Sequence, residues 1–236
     1  MAILTFLGTR GGIEEKTETH FYHSSLLVQI SKPYPFRLLI DYGRIHAYSL
    51  SLLQPDALLI THGHPDHYLW TFQTADSDVP VYLTQEILSY GEFSPCNPKI
   101  IVPYRQFNIG PFSIFPYRVL HSICCPAIGF KIVLPDRKIV LYNPDLVDII
   151  AKEHILPGAD YYIGDGSSIK TYLVRRKGEM LCGHTGIFAQ LKWCEKYGIQ
   201  NIIFTHLGQD TLSRIDDFSK LYPECALAYD RMKIAI

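Results

Sequence analysis

The chain has 236 residues, 47% hydrophobic and 19% charged, and its 22 basic and 23 acidic side chains leave a formal net charge of -1. This is ordinary globular composition, long enough for a sizeable core, and one domain over 1–236 is the expectation. The balance lacks the basic excess that marks a nucleic-acid surface, and no run approaches the ~20 apolar residues of a membrane helix. The start enters an apolar pattern at Ile3 with no basic leader, and the six cysteines, 96, 124, 125, 182, 194 and 225, show no C-x-x-C spacing. Both features fit a reduced, cytoplasmic protein.

Short β-rich runs bounded by Gly, Pro, Asp or Asn dominate the first two thirds. They predict strands at Ile3–Gly8, Ser25–Ile30, Phe36–Ile40, Ala57–Thr61, Val81–Thr84, Phe112–Leu120, Ile128–Leu134 and Lys138–Tyr142. The proline-rich stretch Pro95–Pro103 is expected to be a surface loop, and Arg175–Lys177 a solvated basic loop. Ile187, Leu191, Cys194 and Tyr197 recur at helical spacing, predicting a helix from Gly186 to Tyr197 that Gly198 ends. A strand Asn201–Thr205, a polar helix near Leu212–Leu221 and two closing runs, 226–229 and 232–236, complete the chain. The count suggests two sheets flanked by helices, without repeats or linkers.

The strand at Ala57–Thr61 runs directly into His62-Gly63-His64-Pro65-Asp66-His67, four candidate ligands within one short loop. Imidazoles at this density, with a carboxylate among them, suit zinc, iron or manganese and can share two cations. Gly63 and Pro65 suit a tight turn that sends alternate side chains inward. Three further residues sit just past strand ends in the same way: His121, Asp145 and His206. Ligands at the ends of several strands converge on one edge of a sandwich although they are distant in sequence.

These residues resemble the metallo-β-lactamase superfamily, whose His-x-His-x-Asp-His signature is succeeded by a His, a bridging Asp and a final His. The resemblance implies a four-layer αββα sandwich in the α/β class. It also implies that His62, His64 and His121 hold one metal, that Asp66, His67 and His206 hold another, and that Asp145 bridges them. Asp41 matches a strand-end Asp beneath the metal loop and is expected to hold the far nitrogen of a ligating ring; a turn or helix cap is its plainer role. Two divalent ions, zinc first and manganese second, are the expected cofactors.

His184, in Gly183-His184-Thr185-Gly186 at the start of the helix before His206, resembles the phosphodiesterase branch containing ribonuclease Z and the phosphoribosyl cyclic-phosphate phosphodiesterases. The opening Phe6–Gly12 and the closing Ala228–Met232 are similar to that branch too. The resemblance implies a hydrolase acting on a small or cyclic phosphodiester through a metal-bridging hydroxide. Asp66 and His184 are its catalytic candidates, with His184 protonating the leaving group or steadying a phosphoryl oxygen. Asn143-Pro144 stands where the branch has a small pair before the bridging Asp, and the short His121–Asp145 interval leaves no room for the long tRNA-gripping arm of many ribonuclease Z enzymes. The cysteine-rich site of the phosphoribosyl enzymes is missing as well. RNA 3′ processing, lactone or thioester hydrolysis and a non-catalytic accessory role remain alternatives; nucleic acid is not favoured as partner, no membrane is involved, and a homodimer is the assembly implied. His20, His23 and the cysteines carry no assigned role.

Overall fold

In the computed structural model, which describes residues 1–32, 34–171 and 173–236, two sheets face each other. The first contains β1 (Ala2–Gly8), β2 (Ser25–Ile30), β3 (Phe36–Ile40), β4 (Ala57–Leu59), β5 (Val81–Leu83) and β6 (Pro98–Ile100). The second contains β7 (Phe107–Ile109), β8 (Phe112–Leu120), β9 (Ala127–Val133), β10 (Ile139–Tyr142), β11 (Asp148–Ile149), β12 (Tyr161–Asp165), β15 (Asn201–Thr205) and β16 (Ala226–Leu227). A hairpin of β13 (Arg175–Lys177) and β14 (Met180–Cys182) stands apart, and β17 (Met232–Ala235) returns to the first sheet. The orders are β17-β1-β2-β3-β4-β5-β6 and β11-β8-β9-β10-β12-β15-β16, with β7 beside β8.

Alternation along each strand builds the layers. In β3, Leu38 and Ile40 enter the core between the sheets, where they meet Phe112, Phe130 and Ile163. Leu39, pointing the other way, packs with Leu50 and Leu53 of α1 (Leu50–Leu53) and Ile87 of α2 (Gln85–Tyr90). In the second sheet, Leu141, Tyr162 and Phe204 pack outward on Ile187, Leu191 and Cys194 of α4 (Ile187–Tyr197) and on Phe218 of α6 (Ile215–Leu221). Two short helices, α3 (Lys152–Ile155) and α5 (Gln209–Leu212), complete the set. Both faces of each sheet are therefore covered, which gives the expected αββα layering. Each fully buried Leu or Phe adds roughly 1.5–3 kcal/mol over its exposed state.

Three sequence expectations need correction. Pro98–Ile100 is a strand at the sheet edge, because edge positions tolerate Pro. The basic stretch Arg175–Lys177 is one arm of a hairpin closed by Gly178 in the left-handed region, φ 63°. The polar helix is two helices, α5 and α6, parted at Ser213 and Arg214. Strand β12 has no counterpart among the predicted strands because Gly164 and Asp165 interrupt its short apolar run. The α4 helix begins and ends as expected, with Gly198 at φ 72° accepting the left-handed turn.

What this frame does for function is directional. Strands β3, β4 and β5 run parallel, as do β10, β12 and β15. Their carboxyl ends open on one edge of the sandwich, and the loops beyond them carry the chemistry-bearing residues.

Candidate metal centre

The loop after β4 is seated by Asp41, which comes directly after β3 with φ 60° and is wholly buried. Its Oδ1 accepts the Thr61 backbone N–H at 2.8 Å, and its carboxylate also takes the Thr61 hydroxyl at 2.9 and 3.0 Å. Oδ2 lies 2.9 Å from His67 Nδ1. That contact places the Nδ1 proton and directs Nε2 inward. The Thr61 hydroxyl sits 3.1 Å from His62 Nδ1 and turns that ring inward too.

Two clusters result. In one, His64 Nδ1 lies 3.1 Å from both His62 Nε2 and His121 Nε2, and Asp145 Oδ2 lies 3.4 Å from His62 Nε2. In the other, Asp66 Oδ2 is 3.1 Å from His206 Nε2 and 3.4 Å from His67 Nε2, while Asp145 Oδ2 is 3.5 and 3.8 Å from those two nitrogens. A tetrahedral ion with ligands at 2.0–2.1 Å needs donor separations of about 3.3 Å. Both sets meet that spacing and could each hold an ion, with Asp145 Oδ2 facing the two centres. His67 Nε2 is buried with no hydrogen-bond partner among the described residues. A buried ring nitrogen without a partner is what a cation would satisfy.

Protonation is arranged to suit cations. Burial, and then the neighbouring His67 and His64 rings, hold His62 well below an ordinary imidazole pKa. Burial and His121 push His64 down to about 4. Burial opposes ionisation of Asp66 and Asp145, but the surrounding imidazoles outweigh it and keep both carboxyls well below the usual range. His67 and His206 go the other way: burial disfavours their charge, yet the carboxylates around them prevail, and His206 rises to about 9. A cation bound at His67 and His206 would displace the protons that these carboxylates favour.

His184, just ahead of α4, lies outside those two sets, and with Asp145, Asp165 and His206 it forms a third group that could hold an ion. Its Nδ1 lies 2.8 Å from Asp145 Oδ1 and 2.9 Å from Asp165 Oδ2. Burial disfavours the imidazolium, but these two carboxylates outweigh it and raise the pKa to about 11. Its side chain is 25% exposed and lines the cavity over the site, a space of about 680 Å³ also lined by Gly11, Gly12, His64, Asp66 and His206.

Sequence reasoning missed Asp165 and Ser167. Asp165 ends β12 and is fully buried; it accepts from the Leu146 and Ser167 backbones at 3.0 and 2.8 Å as well as holding His184. Burial raises its pKa and the Asp145 charge adds to that, but the His184 imidazole prevails and takes it down to about 2. The Ser167 hydroxyl is 3.0 Å from His206 Nδ1. The signal that finds other ligands, an apolar run ending in Asp, was present at Tyr161-Tyr162-Ile163-Gly164-Asp165.

The glycines of the opening motif are explained by contact. A Cβ on Gly11 would stand 3.0 Å from the His206 ring, and one on Gly12 3.0 Å from Asp66 Oδ2. Of the unassigned residues, His20 is buried against the Thr9 hydroxyl at 2.9 Å, away from the cluster. His23 lines an adjoining cavity, and Cys124 and Cys182 line another beside His64 and His121. Cys125 is buried, its sulfur accepting the Gly63 N–H at 3.1 Å.

No family model matches the sequence. Among curated proteins it is similar to an anti-Pycsar protein, Apyc1, of Bacillus phage 010DV004, 42% identical over 69 residues, which are 27% of this chain and 24% of that one. The match thus spans about a quarter of that relative's length. Solved structures extend the likeness over the whole chain. A diphosphatase of the PhnP family superposes with a TM-score of 0.70 at 19% identity, covering 100% of this chain and 98% of that one. YhfI of Bacillus subtilis, a metallo-β-lactamase fold protein, gives 0.66 at 19% identity over 99% and 98%. The short form of human tRNase Z gives 0.68 at 19% identity over 99% of both. The chain has the metallo-β-lactamase fold.

Proposed function

We propose that this protein is a binuclear metal-dependent phosphodiesterase acting on a small or cyclic phosphodiester. His62, His64 and His121 would hold one divalent ion, Asp66, His67 and His206 the other, and Asp145 would serve both. When bound, such a pair neutralises the anionic diester, steadies the attacking and departing oxygens, and lowers the pKa of water toward ~7. Zinc is the favoured pair on the donor set, with manganese second.

The chain's own contribution centres on His184, and its placement is the observation that carries this reading. Both carboxylates lie on the Nδ1 side, so the ring is anchored as a donor and its Nε2–H is left for the cleft. A fixed imidazolium beside two cation sites suits a phosphoryl oxygen or a departing alkoxide, both of which gain negative charge as a diester is cleaved. A lactone or thioester hydrolase with the same ligands has less use for it. Asp41, Thr61 and Ser167 hold the imidazoles in register, and Gly11 and Gly12 let the backbone lie against the second cluster. The structural likeness to a PhnP-family diphosphatase and to tRNase Z agrees with phosphorus chemistry.

RNA 3′ processing is the second reading, favoured by one feature: Arg175, Arg176 and Lys177 are exposed on a hairpin, and Arg175 reaches the cavity beside His64. Affinity for RNA that falls steeply with salt would support it.

The test is hydrolysis by metal-loaded protein of bis(p-nitrophenyl) phosphate and of 2′,3′- and 3′,5′-cyclic nucleotides, beside a lactone and a thioester. Turnover of a diester, abolished by chelation and restored by zinc or manganese, is expected. Cleavage of the carbon esters alone would overturn the proposal.

A further inference from the structure

The cavity over the cluster continues past Asp66. Gly12, Ile13 and Asp66 also line a second space of about 400 Å³, whose other walls include Arg10, Lys16, Arg44 and Phe21. None of the three cations there belongs to an ion pair among the described residues; the arginines and lysines that do are elsewhere.

Arg10 is the fixed element. It is only 3% exposed, and its guanidinium is pinned by two backbone carbonyls, Phe21 O at 2.9 Å and Ile13 O. A guanidinium has five N–H donors, so most remain for a ligand in the cavity it lines. Lys16 and Arg44 are exposed at the rim, and Lys16 Nζ lies 4.7 Å from the Phe21 ring centre. The carboxylates that line it are Glu14, exposed, and Asp66, which is turned toward His67 and His206; Asp230, which accepts from the Phe21 and Tyr22 backbone at 2.7 and 3.0 Å, also faces Arg10. A concave site with three cations, one of them preset, attracts an anion with planar or tetrahedral oxygens. The 38% exposed Phe21 offers a surface for a ring beside it.

We propose that this cavity is a subsite for a second phosphate group, so that the preferred substrate is a phosphodiester carrying another phosphate one nucleoside away, as linear and cyclic dinucleotides do. A cyclic mononucleotide has no group to place there. The substrate class rests on the phosphodiesterase reading; occupation of the subsite is a matter of binding and can be measured without turnover.

The experiment is calorimetric titration of metal-loaded protein with adenosine 3′,5′-bisphosphate and with adenosine 3′-monophosphate, for wild type, Arg44→Ala and Lys16→Ala. Wild type is expected to prefer the bisphosphate by about 10-fold or more, the order of one charge-assisted contact, and the preference is expected to shrink to about 3-fold or less in Arg44→Ala. Equal affinity for the two ligands in wild type, or a preference that both variants keep, overturns the subsite. Bis(p-nitrophenyl) phosphate is assayed in parallel. Its failure to react would sink the phosphodiesterase reading, while the binding preference would still decide the subsite.

Discussion

Asp165 Oδ2 stands 2.9 Å from His184 Nδ1, joining the end of a buried strand to an imidazole that lines the cleft. The two residues are 19 apart in sequence, yet the pair fixes both the direction and the charge of His184. Asp165→Asn keeps the shape and removes the charge. It is expected to lower kcat by about 10- to 100-fold, within the range of general acid help, with two metals retained by elemental analysis. The double variant Asp165→Asn/His184→Ala should lose far less than the product of the two single losses, because Asp165 acts mainly through His184, its approach to His206 Nδ1 being longer at 3.7 Å. Additive losses would contradict the pairing.

Asp41 touches no substrate space, but it holds His67 and Thr61 from beneath. Asp41→Ala should weaken metal affinity by about 10- to 100-fold, the usual cost of removing the partner of a ligating imidazole. Competition with a chromophoric chelator measures it, and affinity within about twofold of wild type would contradict the role.

At Gly12 the added methyl is the probe. A Cβ there meets Asp66 Oδ2 at 3.0 Å, tighter than ordinary contact, so Gly12→Ala is expected to displace that carboxylate and release the second ion preferentially. Metal content should fall from two toward one per chain at limiting metal, whereas Ser213→Ala on the same cavity wall should leave it at two.

Acid should destabilise the fold through His23. This ring is 9% exposed, and burial is the main reason its pKa falls to about 4 from the ordinary 6.5. The folded protein keeps it neutral, while the unfolded chain takes up a proton below about pH 6.5. Stability from this group is therefore complete above that pH, declines as pH falls toward 4, and levels off below, a total of about 3 kcal/mol. Urea denaturation of chelated protein should show a shallower decline for His23→Gln than for wild type across that window.

Much of this architecture was legible in sequence because its signals are local. The loop His62–His67 announces itself by density, and β2, β3, β8 and β15 have the ends that their apolar runs predict. Elements that depend on tertiary context were not legible. β12 is a short run broken by Gly164, recognisable only once β10 and β15 flank it. Asp165 was missed with it, because the strand-end signal that it carries counts only once the run before it is read as a strand. The hairpin at Arg175–Cys182 hid its pairing behind charge, and α5 and α6 read as one helix because the break at Ser213–Arg214 uses neither Gly nor Pro.

The most direct measurement is kcat/KM for bis(p-nitrophenyl) phosphate, wild type beside His184→Ala, with metal counted in both samples. Diester turnover by wild type is predicted, with a loss of about 100-fold or more in the variant while it retains two metals. Equal rates at equal metal content would contradict the role given to His184, and no diester turnover by fully loaded wild type would contradict the phosphodiesterase assignment itself.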